Sequence, residues 1–563
     1  MTKAKDEPAE QGLTRRQFVA RAGASGAAIA IPGVVSGLLA GCGTSSASSP
    51  KTLRIGHARQ IDSLNPFVAQ NNISFNALQP IFPFLVGLWG PNLVVVPDFA
   101  THWDIAPDAR QITFTTAGGG KWTDGKPLTA NDAAFTINMT VKYQKGPTAI
   151  NGAQAVNGIK DARATSDTTL VVNFERPVAN ALIALSGLPI LPEHIWSAFA
   201  TGSGSKISTF SNQPPKAVTC GPFKLVKYAQ NEIALYERYD GRYGASPHLD
   251  GCGFQYYGTE DALVTAMNAN EVDATYIETG SESIKTLSKN THLAKIQHQG
   301  YEYYYVGFNS NPKKPHHREL LNPQVRKALS HAIDRQQIVS VGFFGYATPG
   351  STFIPPSGWN DTRIPVDSYD LALSNQILDS LGYHRGSSGV RMVDGHPMSY
   401  VLNQSSDLVD GNRVVSIIQN SFNQIGVQIT PKVLDASAMY NAVSGPNLKY
   451  LTADIDMWDW AQGPDPSYML SVLTTAQIGG LSDTAFSNQE YDKLFTQQSS
   501  ELNVQRRHAL VDRMQQIVAA QRPMLPLAYS RVFVFYSKKF TGFSLAPNGF
   551  TGAKKNFLDF RSA

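Results

Sequence analysis

The first 42 residues decide how much of this chain is available to fold. An arginine pair, Arg15 and Arg16, precedes an apolar run rich in Ala and Gly that ends at Cys42. Pro32 and several glycines interrupt the run, so it is too short to form a membrane-spanning helix. Cleavage before Cys42 would leave 563 − 41 = 522 residues. A chain of that length is too long to fold around a single hydrophobic core, and we therefore predict at least two lobes.

Both parts of this N-terminal segment match known processing signals. Residues 14–18 (TRRQF) form a twin-arginine export signal, and residues 39–42 (LAGC) match the lipobox at which a cysteine receives a diacylglycerol. We predict that residues 1–41 are a signal peptide, that Cys42 carries the lipid, and that residues 42–50 are a flexible tether. Acyl chains contribute about 0.8 kcal/mol per buried CH₂, which makes such an anchor stable. The predicted location is the outer face of the cytoplasmic membrane.

Net charge and cysteine content further restrict the classes of protein to which this chain can belong. The net charge is only +4 over 563 residues, and the sequence has no arginine-rich face, so a nucleic-acid binder is excluded. With Cys42 lipidated, Cys220 and Cys252 are left in an oxidising exterior, where we predict a disulfide between them. The alternative is a pair of buried free thiols, which behave as small apolar side chains.

Short strand and helix patterns alternate from residue 51 onward, which predicts an α/β fold. A strand at 301–309 followed by one long amphipathic helix over 322–343 is predicted to cross from the first lobe to the second, and residues 524–529 cross back. We therefore predict a first lobe at 51–308 with an inserted subdomain at about 75–215, a second lobe at 309–523, and a return to the first lobe at 524–563. Two crossings form a hinge, with a ligand cleft between the lobes.

Several sequence blocks occur in the order found in one protein family. They are residues 121–132 (KWTDGKPLTAND), 220–223 (CGPF), 308–335 (from FN through VRKAL to AIDR) and 369–383 (from YDLA to LGY). Over almost the whole mature chain, they resemble the family 5 extracellular solute-binding proteins, the oligopeptide, dipeptide and nickel receptors of ABC importers. The first block also reads as a turn followed by a capped helix, so it marks the fold rather than a ligand site.

The resemblance implies a two-lobed periplasmic-binding-protein-like fold of type II, with a hinge and an interlobe cleft. It implies capture of a peptide or peptide-like ligand without catalysis or a cofactor. Delivery to the permease and ATPase subunits of an ABC importer follows from the same resemblance, and we expect a monomer. Alternatives are a receptor for an oligosaccharide, haem or a nickel chelate on the same fold, a sensor lipoprotein without a transport role, or an exported hydrolase.

The block at 456–467 (DMWDWAQGPDPS) resembles the family's strand and cleft loop. In peptide-binding members, an aspartate of that loop pairs with the α-amine of the peptide, because a buried ammonium needs a charged partner. Counted back from Asp465 and Pro466, Gln462 stands at that position here; aligned on Trp460, with one residue deleted, the position holds Gln462 or Gly463. The amine clamp is therefore missing or moved. We predict ligand contacts from Trp458, Asp459, Trp460 and Gln462. For each indole, burial in the core is an equal alternative.

Two further loops are candidates by position. Gln60 and Asp62 follow the first strand, and Asn403 and Gln404 follow a strand of the second lobe. Loops at these strand ends would face the cleft, although capping of the loops themselves is an equal alternative. The tandem histidines at 316–317 read as solvated, since no Cys, Asp or third His lies at a metal-binding spacing, and we predict no metal site.

Overall fold

The computed structural model describes residues 51–90, 92–149, 151–275, 280–461, 463–544, 549 and 552–563. The predicted export signal, Cys42 and Gln462 lie outside the described residues. Among the helices that are described, none combines the length and apolar character needed to cross a membrane.

The strands, in chain order, are β1 (Thr52–His57), β2 (Val86–Trp89), β3 (Val94–Pro97), β4 (Ala100–Ile105), β5 (Gln111–Thr116), β6 (Ile159–Ser166), β7 (Thr169–Phe174), β8 (Phe223–Ala229), β9 (Ile233–Arg238), β10 (Gly251–Tyr256), β11 (Ala274–Thr275), β12 (Leu293–Phe308), β13 (Ala347–Pro349), β14 (Met392–Val393), β15 (His396–Pro397), β16 (Ser399–Ser405), β17 (Gln428–Leu434), β18 (Ile455–Ala461), β19 (Met524–Ser537), β20 (Phe540–Thr541) and β21 (Arg561–Ser562).

The α-helices are α1 (Asn72–Leu78), α2 (Ala130–Tyr143), α3 (Ala181–Leu185), α4 (Glu193–Trp196), α5 (Glu260–Asn268), α6 (Ser281–Leu287), α7 (Pro323–His331), α8 (Arg335–Gln337), α9 (Leu371–Ser380), α10 (Gly411–Gln424), α11 (Ala436–Ser444), α12 (Ser467–Val472), α13 (Gln489–Ser500), α14 (Val504–Gln521) and α15 (Lys554–Asp559). Short 3₁₀ turns cover Ser205–Thr209, Arg318–Leu321, Pro446–Leu448 and Thr475–Gln477, and Ile338–Gly342 forms a π turn.

An 11-stranded mixed sheet runs through the molecule in the order β17-β16-β18-β12-β19-β11-β1-β10-β9-β8, with β13 also paired to β19. A separate four-stranded sheet, β4-β5-β7-β6, lies in the N-terminal part. The long antiparallel strands β12 and β19 pair from Leu293 opposite Ser537 to Gly307 opposite Met524, with register shifts between them. The two strands therefore link both sides of the sheet, as the predicted two-lobed fold requires.

The buried side chains divide on either side of these two strands. One large cluster contains Leu53 and Ile55 of β1 together with Val534 from the end of β19. A second contains Val306 of β12 and Leu525 from the start of β19, packed on helices α7 and α10. Strand β19 thus contributes buried side chains to both clusters, while β12 adds the half-buried Ile296 beside the first, so two lobes share one sheet. The lobe boundaries given above stay a prediction.

The block at 121–132 is structural. Trp122 is fully buried, and its indole nitrogen donates to the Asp132 carboxylate at 3.3 Å. The same carboxylate accepts from the backbone N–H groups of Thr129, at 3.0 Å, and Glu193, at 2.9 Å. Thr129 and Asp132 form a capping box that begins α2.

The single helix predicted over residues 322–343 is wrong. Helix α7 ends at His331, and the extended backbone of Asp334 interrupts the helical run. The Asp334 side chain caps the next turn by accepting from the N–H of Gln337 at 2.9 Å. Arg335 is buried there and donates to the Pro526 carbonyl at 2.9 Å. The apolar periodicity continues across the interruption, so the sequence pattern does not reveal it.

The predicted disulfide is also wrong, because Cys220 and Cys252 are separate buried thiols. Cys252 lies in β10 opposite Tyr236 of β9, and Tyr236 lies opposite Leu225 of β8. Cys220 precedes Leu225 by five residues. The two cysteines are thus two strand spacings apart, roughly 10 Å, and also displaced along the sheet. A disulfide needs Cα atoms within about 7 Å.

Candidate functional site

The candidate site is formed by the segment that runs through β18 and into the following loop. On one face of the sheet, Trp458 and Trp460 lie opposite Tyr305 and Tyr303 of β12. The two tyrosines are fully buried, whereas both indoles are half-buried. On this face, two buried tyrosines therefore lie beside two indoles that keep part of their surface exposed.

Asp483 organises this aromatic face. The Tyr305 hydroxyl and the Trp460 indole nitrogen both donate to Asp483 Oδ2, each at 2.6 Å. Burial raises the pKa of Asp483 to about 6, although both hydrogen bonds oppose that shift. Trp460 also packs edge-on against Tyr468, with ring centroids 5.9 Å apart. The satisfied indole N–H shows that Trp460 is anchored in the wall of the site, so its ring face rather than its nitrogen is available to a ligand.

A second buried carboxyl lies next to Asp483. Burial raises the pKa of Asp456 well above its ordinary value, and the neighbouring Asp483 charge raises it further. Opposite Asp456, Gly307 leaves room for the carboxyl, since a Cβ at Gly307 would lie 2.6 Å from Asp456 Oδ2. That oxygen has no hydrogen-bond partner among the described residues. Burial therefore disfavours the charged form of Asp456, which makes this acid a poor partner for a charged ligand.

Asp459 differs from these buried acids because it is half-buried and lies on the opposite face of β18. Burial raises its pKa to about 6. Arg59, in the loop after β1, opposes that shift, and the negative charge of Asp407 adds to it. Arg59 and Asp459 come from opposite sides of the sheet junction, so their attraction acts between the two lobes.

The other two acids of this segment are held by internal cations. Arg507 of α14 donates to both oxygens of Asp465, at 2.6 and 2.9 Å, and both side chains are buried. The buried Lys314 ammonium lies 3.2 Å from Asp454 Oδ1. Asp465 follows the expected clamp position, yet Arg507 already neutralises it. Asp459 is therefore the carboxylate of this segment best placed to meet a ligand.

The loop after β1 is held by its own side chains. Asp62 accepts from the N–H groups of Gln70, at 2.8 Å, and Asn71, at 3.1 Å, and from the Ser74 hydroxyl at 2.5 Å. Gln60 is exposed, and its carbonyl accepts from the Asn71 amide at 3.0 Å. For Asp62 the alternative of loop capping is what the contacts support, while the Gln60 side chain is presented to solvent.

Asn403 and Gln404 do not lie in a loop, as predicted, but inside β16. The sequence pattern missed the last three residues of that strand because they are polar, although they are buried. Gln404 faces α10 and donates to Asn412 at 2.9 Å. Asn403 lies on the same face as Asp456, its partner in register, and its side chain makes no hydrogen bond to the described residues. Asn403 is thus the better ligand candidate of the two.

Contacts between the N-terminal half of the chain and the part after residue 400 border the candidate site at two places. Near α3, Ala179 N–H donates to the Ser499 carbonyl at 3.1 Å, and the Asn180 amide donates to Asp465 at 3.3 Å. At the other place, the Ser281 hydroxyl donates to Asp410 at 2.7 Å. A cavity of about 370 Å³ lies beside the first contact, and its lining includes Asn180, Gly463, Pro464, Asp465, Tyr468 and Ser499.

Sequence reasoning missed Asp483, Arg507 and Asn180. Asp483 lies in a loop with no recognisable motif, and it reaches the site only because Tyr305 and Trp460 of neighbouring strands converge on it. The sequence did contain a signal for Arg507. A lone arginine on the buried face of an amphipathic helix needs a buried acid as its partner.

A sheet shared by two lobes, with candidate ligand groups near the strands that join them, is the architecture of a two-lobed solute receptor. The chain belongs to the bacterial extracellular solute-binding proteins, family 5, whose family model matches residues 94–480. Members of this family are extracytoplasmic binding components of ABC importers, and the relatives below are transport components rather than enzymes.

Two curated relatives and one solved structure illustrate the similarity. A putative ABC transporter peptide-binding protein of Brucella ovis is 26% identical over 424 residues, covering 73% of this chain and 75% of that protein. The glutathione-binding protein GsiB of Pectobacterium atrosepticum is 24% identical over 523 residues, covering 92% and 96%. The oligopeptide-binding protein AppA of Bacillus subtilis, solved with a nonapeptide, matches with a TM-score of 0.76 at 21% identity, covering 91% and 99%. The structural match shows the fold.

Proposed function

We propose that this protein is a membrane-anchored receptor that captures a peptide or peptide-like solute in its interlobe cleft and delivers it to an ABC permease. Peptide and glutathione binding by the named relatives supports this ligand class. The predicted lipid on Cys42 would hold the receptor at the outer face of the membrane. Ligand stabilises the closed form because only that form contacts the ligand from both lobes.

The observation that carries the proposal is the position of Asp459. It is the half-buried acid of the cleft segment, it faces Arg59 across the lobes, and its raised pKa shows that burial disfavours its charge. A ligand ammonium would relieve that penalty by supplying a positive partner. Asp459 would then take the role that the cleft-loop aspartate has in peptide-binding members of the family. The ring faces of Trp458 and Trp460 would contact apolar groups of the ligand.

A receptor for a blocked or non-peptide solute is the second candidate. It is favoured by Gln462 at the family's clamp position and by the engagement of Asp465 with Arg507. Oligosaccharides, haem and nickel chelates belong to this class. Such a ligand would contact the aromatic face without requiring the charge of Asp459.

Thermal unfolding of the domain from Gly43 onward, with and without ligand, separates these candidates. Ligand at 100 times its Kd adds about 2.7 kcal/mol to the free energy of unfolding, which raises the midpoint. The panel pairs free tri- to pentapeptides with their N-acetylated forms and adds oligosaccharides, haem and nickel chelates. Asp459→Asn is the test variant, and Asp104→Asn, whose side chain is 79% exposed, is the matched control.

The outcomes distinguish recognition of the peptide amine, recognition of another part of a peptide, and recognition of a non-peptide ligand. If free peptides raise the midpoint of the wild type and of Asp104→Asn, but not of Asp459→Asn, then Asp459 is the amine partner. If free and acetylated peptides act equally, the amine is not recognised. If only non-peptide ligands act, the peptide assignment is wrong.

The lipid anchor is tested separately in cells. Cys42→Ala should move the exported protein from the membrane fraction to the soluble fraction, while the wild type remains membrane-bound. Equal membrane association of both proteins would contradict the proposed anchor.

A further inference from the structure

A cluster of metal-ligating side chains lies away from the cleft. His317 precedes the 3₁₀ turn Arg318–Leu321, and Glu319 lies within that turn. His396 lies in the short β14–β15 hairpin, 79 residues after His317. His317 Nδ1 is 3.3 Å from Glu319 Oε1, and His396 Nε2 is 3.8 Å from Glu319 Oε2. One ligand atom from each of the three residues lies within 4.8 Å of the others.

These separations are close to those required by a bound transition metal. Zinc binds histidine nitrogen and carboxylate oxygen at about 2.0–2.2 Å, so tetrahedral ligands are about 3.3–3.5 Å apart. Small side-chain rotations would bring all three groups to that spacing. Two histidines and one glutamate form a ligand set typical of zinc, with a fourth position left for water.

Neighbouring groups already orient the ligands. The Tyr400 hydroxyl donates to Glu319 Oε1 at 2.8 Å, and the Glu319 side chain is only 2% exposed. On the far side of the His317 ring, Nε2 lies 3.8 Å from Asp454 Oδ2. A carboxylate behind a ligating imidazole fixes which nitrogen faces the metal and increases its basicity. Lys314, the buried cation nearby, is paired with Asp454 rather than with Glu319.

Access and position favour a metal over a closed ion-pair cluster. The side chains of His317 and His396 are 24% and 38% exposed, so an ion can reach the buried carboxylate between them. Tyr400 precedes Asn403 in β16 by three residues, which is roughly 10 Å along the strand, so the cluster is distinct from the cleft.

We propose that His317, Glu319 and His396 bind one divalent transition-metal ion of the zinc class on the surface of the second lobe. The ion ties the β14–β15 hairpin to the 3₁₀ turn that precedes α7. The tandem histidines noted in the sequence therefore have separate roles. His317 is a ligand, whereas His316 is exposed and does not belong to the cluster.

The test is calorimetric titration of Zn²⁺ into the chelator-stripped domain from Gly43 onward, prepared without an affinity tag. The wild type should bind one ion per chain, and its thermal midpoint should rise with zinc. His317→Asn and His396→Gln should each weaken binding at least about tenfold. His316→Gln is the matched control and should bind zinc as the wild type does.

The same measurements can overturn the site. Zinc affinity unchanged in the double variant His317→Asn/His396→Gln, or lowered equally by His316→Gln, would refute it. Thermal midpoints and circular dichroism spectra of the metal-free variants establish that these substitutions, at half-exposed positions, leave the fold intact. Bare Zn²⁺ is the probe, so failure of this site would leave the proposal for the cleft ligand untouched.

Discussion

Asp459→Asn should make the ligand-free protein more stable at neutral pH. In the folded protein the pKa of Asp459 is about 6, raised by burial from its ordinary value of 3.8. At about 1.4 kcal/mol per pH unit, that difference corresponds to about 3 kcal/mol of unfavourable free energy for the ionised carboxylate. Asp459 is half-buried, so solvent screening reduces this value, and we expect about 1–3 kcal/mol.

The effect has a defined dependence on pH. Between pH 3.8 and 6, the folded state holds the Asp459 proton more tightly than the unfolded state does, so wild-type stability falls as pH rises through this range. Asparagine does not titrate, and Asp459→Asn avoids this loss. The two proteins should therefore be equally stable near pH 3.5, and the variant should be more stable by the full amount above pH 7.

Thermal midpoints measured at half-unit steps from pH 3.5 to 8 test this prediction. For a folded unit of roughly 500 residues, 1 kcal/mol shifts the midpoint by about 1 °C. Asp104→Asn is the control and should follow the wild type at every pH. A variant that is no more stable than the wild type at pH 7.5, or a difference that does not vary with pH, would show that burial does not disfavour this charge.

Three other changes test the remaining contacts. Arg507→Met should lower the free energy of unfolding in urea by about 3–5 kcal/mol, because it leaves the buried Asp465 carboxylate without its cation; a loss below 1 kcal/mol would contradict that role. A thiol reagent should find no reactive cysteine in the folded domain from Gly43 and two in urea, because burial raises the pKa of Cys220 to about 12 and also raises that of Cys252; no thiols in urea would mean that a disulfide had formed. Burial lowers the pKa of His57 to about 4, so its stabilising contribution is present above pH 6.5 and is lost as pH falls toward 4; an NMR titration of its imidazole with a midpoint near 6.5 would refute this.

Elements with local signals were predicted well from the sequence. Apolar periodicity predicts a helix over residues 504–521, which is the range of α14, and the turn at residues 229–231 predicts the hairpin that β8 and β9 form. The predicted capped start of α2 is confirmed as well. These features depend on residues that are close together in the sequence. Helix and strand propensities, apolar periodicity and capping residues report on such local interactions.

Features that depend on distant strands were not predictable in this way. The spacing of Cys220 and Cys252 follows from sheet order, which a single sequence does not reveal. Asp483 joins the site only through tertiary packing. Of the predicted cleft residues, Trp458, Asp459 and Trp460 retain a ligand role in our proposal. Asn403 stays a candidate, whereas Asp62 and Gln404 are occupied by local contacts.

The N-terminal core of this protein contains the C-terminal end of the chain. Phe540, Phe557 and Phe560 are buried in the same cluster as Leu53 and Ile55. During synthesis, the core of the first lobe can therefore be completed only after residues 540–560 have left the ribosome. Such long-range closure makes folding slow. An export route that accepts a finished, folded protein, as predicted from Arg15 and Arg16, would give this chain the time to complete its first lobe before it crosses the membrane.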